Sequence, residues 1–279
     1  MTQYLHSNKT NSGFSLVELA VVLVIIGVIT AMAMTSGTSA VQASRATATK
    51  QRMKDIEQAL LSYRTNYNRL PCPASLSIAE GTTNFGVEGA IPGTCTGGTP
   101  AATNSGSGVT NTTKTAVEGA LPVATLGLPY EYMYDGWGRR FRYAVDKSLT
   151  ATGAFTSVNV ACTNLSITIN DANGSARSTG AAYALISHGE NGHGGYGKDG
   201  TMFNVGSTNT DEQVDCHCNA TAVATTYSPV YVQKAETVNA TTATDKFDDI
   251  VVYHERWQMA IDWDDEPASC GLQYIYVSD

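Results

Sequence analysis

The sequence predicts an α+β fold: one long N-terminal α-helix that packs on a β-rich head with an antiparallel sheet. Three observations support this prediction. Residues 14–34 are almost entirely apolar. From Met53 to Tyr67, apolar side chains recur at alternating spacings of three and four residues, which is the periodicity of one helix face. After Pro71 this periodicity becomes scarce, and short segments rich in β-branched and aromatic residues alternate with turn-forming residues.

The apolar segment, residues 14–34, is long enough to cross a membrane. Its 21 residues extend about 31 Å as an α-helix, which matches the hydrocarbon thickness of a bilayer. Glu18 is the exception in this segment, and the next charged residue is Arg45. A carboxylate in an apolar environment indicates a functional role when it has a partner, but near a helix end it can also lie at the membrane interface.

Two ordinary interpretations of this segment are open. It could be a secretory signal peptide, because residues 31–33 form a small-x-small cleavage site, although Lys9 is the only charge before the apolar run. It could also be a plain membrane anchor. The basic residues within 45–54 would then place the C-terminal part in the cytoplasm by the positive-inside rule.

The helix is expected to continue beyond the apolar segment as an amphipathic stalk. No proline occurs between residues 14 and 69, and Pro71 and Pro73 then end the helix. In the head, residues 93–115 are predicted to form an exposed polar loop. The predicted strands are 141–145, 166–169, 182–187, 250–253 and 273–277.

The cysteines and the charges indicate where the head is located. All six cysteines follow the apolar segment, which is typical of an oxidising compartment, and their pairing is left open. Residues 216–218, Cys-His-Cys, could hold a soft metal, but one such pair is a weak zinc signal and disulfides are favoured. From residue 71 onward the chain has ten basic and 22 acidic residues, and this acidic charge would repel a nucleic-acid backbone, so no nucleic-acid partner is expected.

The stretch Gly13-Phe14-Ser15-Leu16-Val17-Glu18-Leu19, followed by the apolar run, resembles the N-terminus of a type IV prepilin. The resemblance implies that a prepilin peptidase removes residues 1–13 by cutting between Gly13 and Phe14 and then methylates Phe14. It implies residues 14–70 as the long helix, with a transmembrane span at 14–34, and residues 71–279 as the head. It also implies an inner-membrane protein with its head in the periplasm, which agrees with the cysteines.

The same resemblance implies a structural subunit of a type IV pilus or a type II secretion pseudopilus. Such a subunit polymerises with other subunits through its N-terminal helix. Glu18 of one subunit would pair with the free amine of Phe14 in its neighbour, because an unpaired charge in an apolar bundle is costly. The chain length remaining after cleavage favours a minor subunit.

A second function class is open. The chain could be a secreted or membrane-anchored hydrolase or carbohydrate-binding domain behind an ordinary signal peptide. A hydrolase of the esterase type needs a Gly-x-Ser-x-Gly nucleophile motif, and the sequence contains none. His188 and His193 are interpreted as exposed or turn-capping residues, so no enzymatic activity is predicted.

Two head segments extend the resemblance to pseudopilins. Residues 135–143 resemble their Asp-Pro-Trp-Gly turn and following strand, with Gly136 in place of the proline. Residues 187–197 resemble their glycine-rich loop, which with a nearby Asp-Ile step encloses a calcium ion.

The matching calcium ligands here would be Asn191, Asp248 and Asp249, whose oxygens are the kind that Ca²⁺ prefers. The alternative is that the two aspartates only cap the strand that begins at Ile250.

Overall fold

The structure, a computed structural model, describes most of the chain. The described residues are 13, 15–89, 92–93, 95, 116–155, 165–221, 227–237, 242 and 244–259, without the side chains of 31–39 and 257. Phe14, Cys162, Cys270, most of the predicted loop 93–115 and the predicted strand 273–277 therefore lie outside them. The chain divides into two compact units, residues 1–44 and 45–279.

Helix α1 runs from Leu16 to Tyr67. It begins at a capping box, because the Ser15 backbone N–H donates to Glu18 Oε2 at 2.9 Å and the Glu18 N–H donates to Ser15 Oγ at 3.2 Å. It ends before the predicted boundary at residue 70. Asn68 adopts the left-handed conformation, with φ of 49°, and its N–H closes on the Arg64 carbonyl at 2.8 Å.

In the first unit, the described apolar side chains of α1 are exposed. Leu16 is 86% exposed, and the large apolar residues up to Ile29 are all at least half exposed or close to it. Among residues with described side chains, no helical stretch is both long and apolar enough to cross a membrane. The predicted span 14–34 lies partly outside those residues, because Phe14 and the side chains of 31–34 are not described.

In the second unit, α1 supplies one side of the main hydrophobic core. Met53, Ile56, Leu60 and Tyr63 are all buried, so the predicted stripe is confirmed at these positions. Tyr67, at the end of the helix, is 58% exposed. The stripe belongs to one apolar cluster with residues of the sheet, and the predicted α+β architecture is confirmed.

Within the described part of the head, the strands form one six-stranded sheet. Its order is β1-β2-β4-β3-β5, with β6 also pairing with β4, so β4 is the central strand. All pairings are antiparallel except β3 with β5, which is parallel and departs from the prediction. The strands are β1 Ala116–Ala120, β2 Arg142–Asp146, β3 Ile167–Asn170, β4 Ala176–Ser187, β5 Val230–Val232 and β6 Ile250–Glu255. A short helix, α2, spans Thr210–Cys216.

Both faces of this sheet are covered, because alternate residues of a strand point to opposite sides. Tyr143 and Val145 of β2 join the core that contains α1, whereas Ala144 between them joins a second apolar cluster. That second cluster includes Tyr227 and Tyr231, which are fully buried. The sheet is therefore a central layer, and its second face is available to organise the residues described below.

Two disulfides are present among the described cysteines, Cys72–Cys95 and Cys216–Cys218. The prediction of disulfides is confirmed for these four residues. The first closes a sequence separation of 23 residues, and a loop of this size corresponds to about 3 kcal/mol of stabilisation. The second joins residues only two positions apart, so it restricts the unfolded chain much less.

Gly136 lies at a close contact between the head and α1. Its N–H donates to Thr49 Oγ1 at 2.8 Å, and a Cβ at this position would lie 2.3 Å from the Arg45 carbonyl oxygen. A proline has no N–H and a bulky ring, so the proline of the pseudopilin turn could not make this contact. Asp135 holds the turn by accepting the N–H groups of Trp137 and Arg139, each at 2.9 Å.

We expect Gly136→Ala to destabilise the head, because its methyl group overlaps the backbone of α1. The expected loss is about 1–3 kcal/mol in the free energy of unfolding, read as a lower Tm of the full chain in detergent micelles. Gly180→Ala in β4 is the matched control, because its Cβ would meet only Leu165 Cβ at 3.8 Å. Equal melting temperatures for the two variants would contradict the tight contact at Gly136.

Candidate functional site

A buried ion pair organises the second face of the sheet. Glu118 of β1 and Arg142 of β2 are 0% and 1% exposed, and Arg142 Nη1 lies 2.6 Å from Glu118 Oε1. Tyr231 of β5 donates its hydroxyl to Glu118 Oε2 at 2.6 Å, and His217 Nδ1 lies 3.1 Å from the same oxygen. Burial opposes ionisation of Glu118, but His217 and Arg142 outweigh it and lower the pKa of Glu118 to about 2.

The remaining donors of Arg142 hold the glycine-rich loop that follows β4. Arg142 Nε donates to His188 Nε2 at 3.2 Å, and Nη2 donates to the Gly194 carbonyl at 3.1 Å. Burial and the nearby Arg142 charge lower the pKa of His188 well below its usual value, so this imidazole is neutral. His188 and His193 are 1% and 0% exposed. The prediction that these histidines are exposed is therefore wrong, because the loop folds inward onto the ion pair.

Strand pairing brings the glycine-rich loop next to the two aspartates. Ser187, the last residue of β4, pairs with Ile250, the first residue of β6. Because the strands are antiparallel, the residues that follow Ser187 lie beside those that precede Ile250. The fit is close at Gly189, where a Cβ would lie 2.4 Å from Asp248 Oδ1. The two sequence-distant parts of the predicted cation site are thus neighbours.

Asn191 contacts Asp248 and Glu212 through its backbone and side-chain nitrogen atoms. Its backbone N–H donates to Asp248 Oδ2 at 3.0 Å, and its side-chain Nδ2 donates to Glu212 Oε1 at 2.7 Å. Its amide oxygen accepts the His193 N–H at 2.9 Å. These partners fix the orientation of the amide, since a carboxylate only accepts and a backbone N–H only donates. Asn191 therefore positions the acidic groups and does not direct its oxygen at them.

Glu212 from α2 takes the place that the sequence suggested for Asn191. One carboxylate oxygen from each of Glu212, Asp248 and Asp249 lies within 4.8 Å of the others, and all three side chains are buried. Asp215 lies close enough to raise the pKa of Asp249 further. Sequence reasoning missed Glu212 because only the folding of α2 against the end of the sheet brings it there.

Several oxygens of this acidic cluster have no hydrogen-bond donor among the described residues. They are Asp248 Oδ1, both carboxylate oxygens of Asp249, and Asp215 Oδ2. His188 Nδ1 lies 3.4 Å from Asp249 Oδ2 but without the alignment of a hydrogen bond. Asp249 has a fully buried side chain. Unpaired buried carboxylate oxygens are costly, so this arrangement favours either protonation or a bound cation.

The cost of burying unpaired carboxylates raises the pKa values of Asp248 and Asp249. Burial, with the neighbouring carboxylate Glu212, raises the pKa of Asp248 to about 7. Burial and the charges of Asp215, Glu212 and Asp248 raise the pKa of Asp249 well above its usual value. Lys246 lies 3.4 Å from Asp248 Oδ2, but it also pairs with Glu190 at 2.6 Å and Glu236 at 2.8 Å. The nearby positive charge is therefore shared with other carboxylates.

The donor set of the acidic cluster fits a calcium ion. Ca²⁺ binds oxygen ligands at about 2.3–2.6 Å, so two ligands on opposite sides of the ion are about 5 Å apart. The mutual separations within 4.8 Å for Glu212, Asp248 and Asp249 are compatible with this geometry. Three carboxylates would supply the charge, while Asn191 and Ser207 orient Asp248 and Glu212 through hydrogen bonds.

The predicted N-terminal site is only partly described. Gly13 is exposed and has open space around its Cα, whereas Phe14 lies outside the described residues. Glu18 is exposed and belongs to the capping box with Ser15. The Ser-x-x-Glu spacing of this capping box is readable in the sequence, and it gives Glu18 a local structural role beside any role in assembly.

The N-terminal segment matches a known family. Residues 8–34 match the prokaryotic N-terminal methylation motif. Neither a curated protein nor a solved structure is significantly similar to the chain. The similarity to a known family therefore covers the N-terminal site, within residues 8–34, and does not extend to the head.

We expect the stability of the calcium-free protein to fall as the pH rises. The pKa of Asp248 in the folded state, about 7, is above its ordinary value of 3.8, so the folded protein binds more protons between these values. This stabilisation is fully present below about pH 4 and is lost by about pH 7. With chelator, Tm should be lower at pH 7.5 than at pH 5, and calcium at pH 7.5 should restore it.

Calcium at a hundred times its Kd should add about 2.7 kcal/mol to the free energy of unfolding. Asp249→Asn removes a buried ionisable carboxyl that is costly in the calcium-free protein, so it should raise Tm in chelator at pH 7.5 and abolish the response to calcium. Asp245→Asn, the same chemical change at an exposed position, is the control and should respond like the unmodified protein. A melting curve that calcium does not change would rule out the site.

Proposed function

Because the matched motif is the signature of type IV prepilin-like proteins, we propose that this protein is a structural subunit of a type IV pilus or a type II secretion pseudopilus. The motif itself supports a protein of the pilin or pseudopilin family. In the proposal, the subunit polymerises through α1 and its head coats the fibre. The observation that carries the proposal is the combination of Gly13, Phe14 and Glu18 within the matched segment 8–34.

The location in the cell is part of the proposal. A prepilin peptidase cuts between Gly13 and Phe14 and methylates the new N-terminus. The chain is held in the inner membrane by residues 14–34 with its head in the periplasm, and it then enters a fibre with other subunits. The two disulfides among the described cysteines support an oxidising compartment. The exposed apolar face of α1 supports burial of this segment in a membrane or against other helices.

In this proposal Glu18 exchanges one partner for another. In the single chain its carboxylate accepts the Ser15 N–H, and this bond requires only an acceptor oxygen. In an assembled bundle the environment is apolar, so a charged carboxylate needs a positive partner. The free amine of Phe14 in a neighbouring subunit supplies that charge. The pairing would fix the register, because a misplaced subunit leaves both charges unpaired.

The head has a supporting role in the proposal. Calcium bound by Glu212, Asp248 and Asp249 would join the loop after β4, helix α2 and the start of β6. Secretion places the head where the ion is abundant enough for a site of modest affinity. The ion would then act as a structural crosslink, and no catalytic step is part of the proposal.

Processing tests the first step. Co-expressed with a prepilin peptidase, the protein should yield a mature chain that begins with N-methylated Phe14, as read from the mass of its N-terminal peptide. Gly13→Asp should leave an uncut precursor, because the peptidase requires a small residue before the cut. Gly13→Ala is the matched control and should still be cut, since alanine is also a small residue and nothing in this chain lies within 4 Å of a Cβ there. A mature chain that starts at Met34 would instead indicate signal peptidase and contradict the proposal.

The second step, entry of the cleaved subunit into a fibre, can be tested with two variants of the capping box that separate the charge of Glu18 from its hydrogen bond. Glu18→Gln keeps an acceptor for the Ser15 N–H but removes the charge, because glutamine also forms this capping box. We expect Glu18→Gln to insert and be cleaved normally but to enter fibres at least about tenfold less, since a lost buried pair costs more than 1.4 kcal/mol. Incorporation is measured by pull-down of sheared fibres.

Ser15→Ala is the control for Glu18→Gln. It removes the hydroxyl that accepts the Glu18 N–H but leaves the carboxylate charged. This variant should cost about 1 kcal/mol of helix stability and still enter fibres. If Glu18→Gln assembles normally and Ser15→Ala does not, Glu18 acts only as part of the cap.

A further inference from the structure

The disulfide Cys216–Cys218 lies directly beside a buried histidine. His193 is 0% exposed, and Cys216 and Cys218 are 0% and 2% exposed. Potential ligand atoms of these three residues all lie within 4.8 Å of one another. A Cβ on Gly194 would lie 2.8 Å from Cys216 Sγ and 3.1 Å from Cys218 Sγ, so the loop backbone packs on both sulfurs.

The orientation of His193 leaves one ring nitrogen available. Its Nε2 lies 3.0 Å from the Asn219 carbonyl oxygen. A carbonyl only accepts hydrogen bonds, so Nε2 carries the proton and, in the neutral ring, Nδ1 carries the lone pair. Nδ1 is buried and has no hydrogen-bond partner among the described residues. A histidine whose second nitrogen donates to a backbone carbonyl is the usual arrangement of a metal ligand.

We propose that Cys216 and Cys218 in their thiol form, together with His193, bind one thiophilic d¹⁰ cation, for which Zn²⁺ is the probe, and that this ion and the disulfide are alternatives. Thiolate sulfur and imidazole nitrogen are the ligands that Zn²⁺ prefers, at about 2.3 and 2.0 Å. Tetrahedral coordination requires the two sulfurs to move apart to about 3.8 Å. The Cα atoms are already 5.2 Å apart, so rotation of the side chains supplies most of this change.

Two features distinguish this pair from the other described disulfide. Cys216–Cys218 closes a separation of two residues, whereas Cys72–Cys95 closes 23, so opening the shorter loop releases far less chain entropy. His217 between the two cysteines is held from the other side, by Glu118 and by the Ser228 carbonyl. The segment would therefore keep its place when the sulfur bond is broken.

Exchange of the disulfide for the metal ion requires reduction first. The disulfide takes up two electrons and two protons from a dithiol reductant, which is itself oxidised to a disulfide. Binding of Zn²⁺ to the two thiols then releases two protons to solvent. A newly made chain reaches the same state without reduction, because its cysteines are thiols until an oxidant acts on them. All three ligands are buried, so binding is coupled to folding of this loop.

The test uses the full chain in detergent micelles, reduced with a phosphine and titrated with Co²⁺ as the spectroscopic substitute for Zn²⁺. We expect a thiolate-to-cobalt charge-transfer band that saturates at one equivalent and is abolished by Zn²⁺. The same protein in its oxidised form should give no band. Cys72→Ser/Cys95→Ser, which removes the other described pair, should keep the band, and Cys216→Ser/Cys218→Ser should lose it.

His193→Gln keeps both thiols and tests the nitrogen ligand. It should weaken Co²⁺ binding at least about tenfold, because one of three protein ligands is lost. Zn²⁺ should also protect Cys216 and Cys218 from alkylation, as mapped by peptide mass. A cobalt band that survives Cys216→Ser/Cys218→Ser, or that is absent from the reduced protein, would overturn the proposal. Unchanged binding in His193→Gln would remove histidine from the ligand set and also overturn it.

Discussion

The head depends on the buried pair of Glu118 and Arg142. This pair joins β1 to β2 on the face of the sheet opposite α1, and Tyr231 attaches β5 to the same carboxylate. Charges buried this deeply cost several kcal/mol each to desolvate, so each hydrogen-bonding position must be filled. The partners of Arg142 and Glu118 lie in the loop after β4, which carries Asn191 and His193, and in the turn after α2, which carries Cys218. One interaction therefore holds both of these segments in place.

A similar arrangement occurs at the end of α1. Glu88 accepts hydrogen bonds from Arg69 at 2.8 and 2.9 Å, from the Tyr63 hydroxyl at 3.0 Å and from the Cys72 N–H at 2.8 Å. Glu88 and Glu118 occupy the same place in two nearly identical stretches, Val-Glu-Gly-Ala. In both, the carboxylate pairs with an arginine and a tyrosine hydroxyl. The shared sequence pattern thus corresponds to a shared way of satisfying a buried charge.

Much of the architecture was predictable because its signals are local. The apolar stripe of α1 and four of the strands follow from periodicity over a few residues. Strand β1 was not predicted, because Glu118 and Gly119 look unfavourable in a strand until the arginine partner is known. Helix α2 has seven residues, too few for a helical period to be read. Glu212 reaches the acidic cluster only through the packing of that helix.

The burial of His188 and His193 also could not be predicted from local sequence. In the sequence they lie among glycines, which is typical of an exposed turn, and nothing local indicates that the loop folds inward. The reason lies more than 40 positions away, at Arg142, whose guanidinium group reaches both His188 and the Gly194 carbonyl. Long-range polar contacts of this kind have no sequence period. They are therefore the part of the site that the sequence does not reveal.

The disulfide between Cys72 and Cys95 has a mechanical consequence, given that α1 ends at Tyr67, five positions before the first cysteine. Once the buried stripe of α1 had been pulled from the core, tension along the chain would reach the crosslink within five residues. If the chain were unravelled from that side, the covalent bond would carry the load directly from Cys72 to Cys95. The residues between them would add no extension, which shortens the released chain by roughly 80 Å at about 3.4 Å per residue. The crosslink thus makes the junction between helix and head less extensible, a useful property in any filament under load.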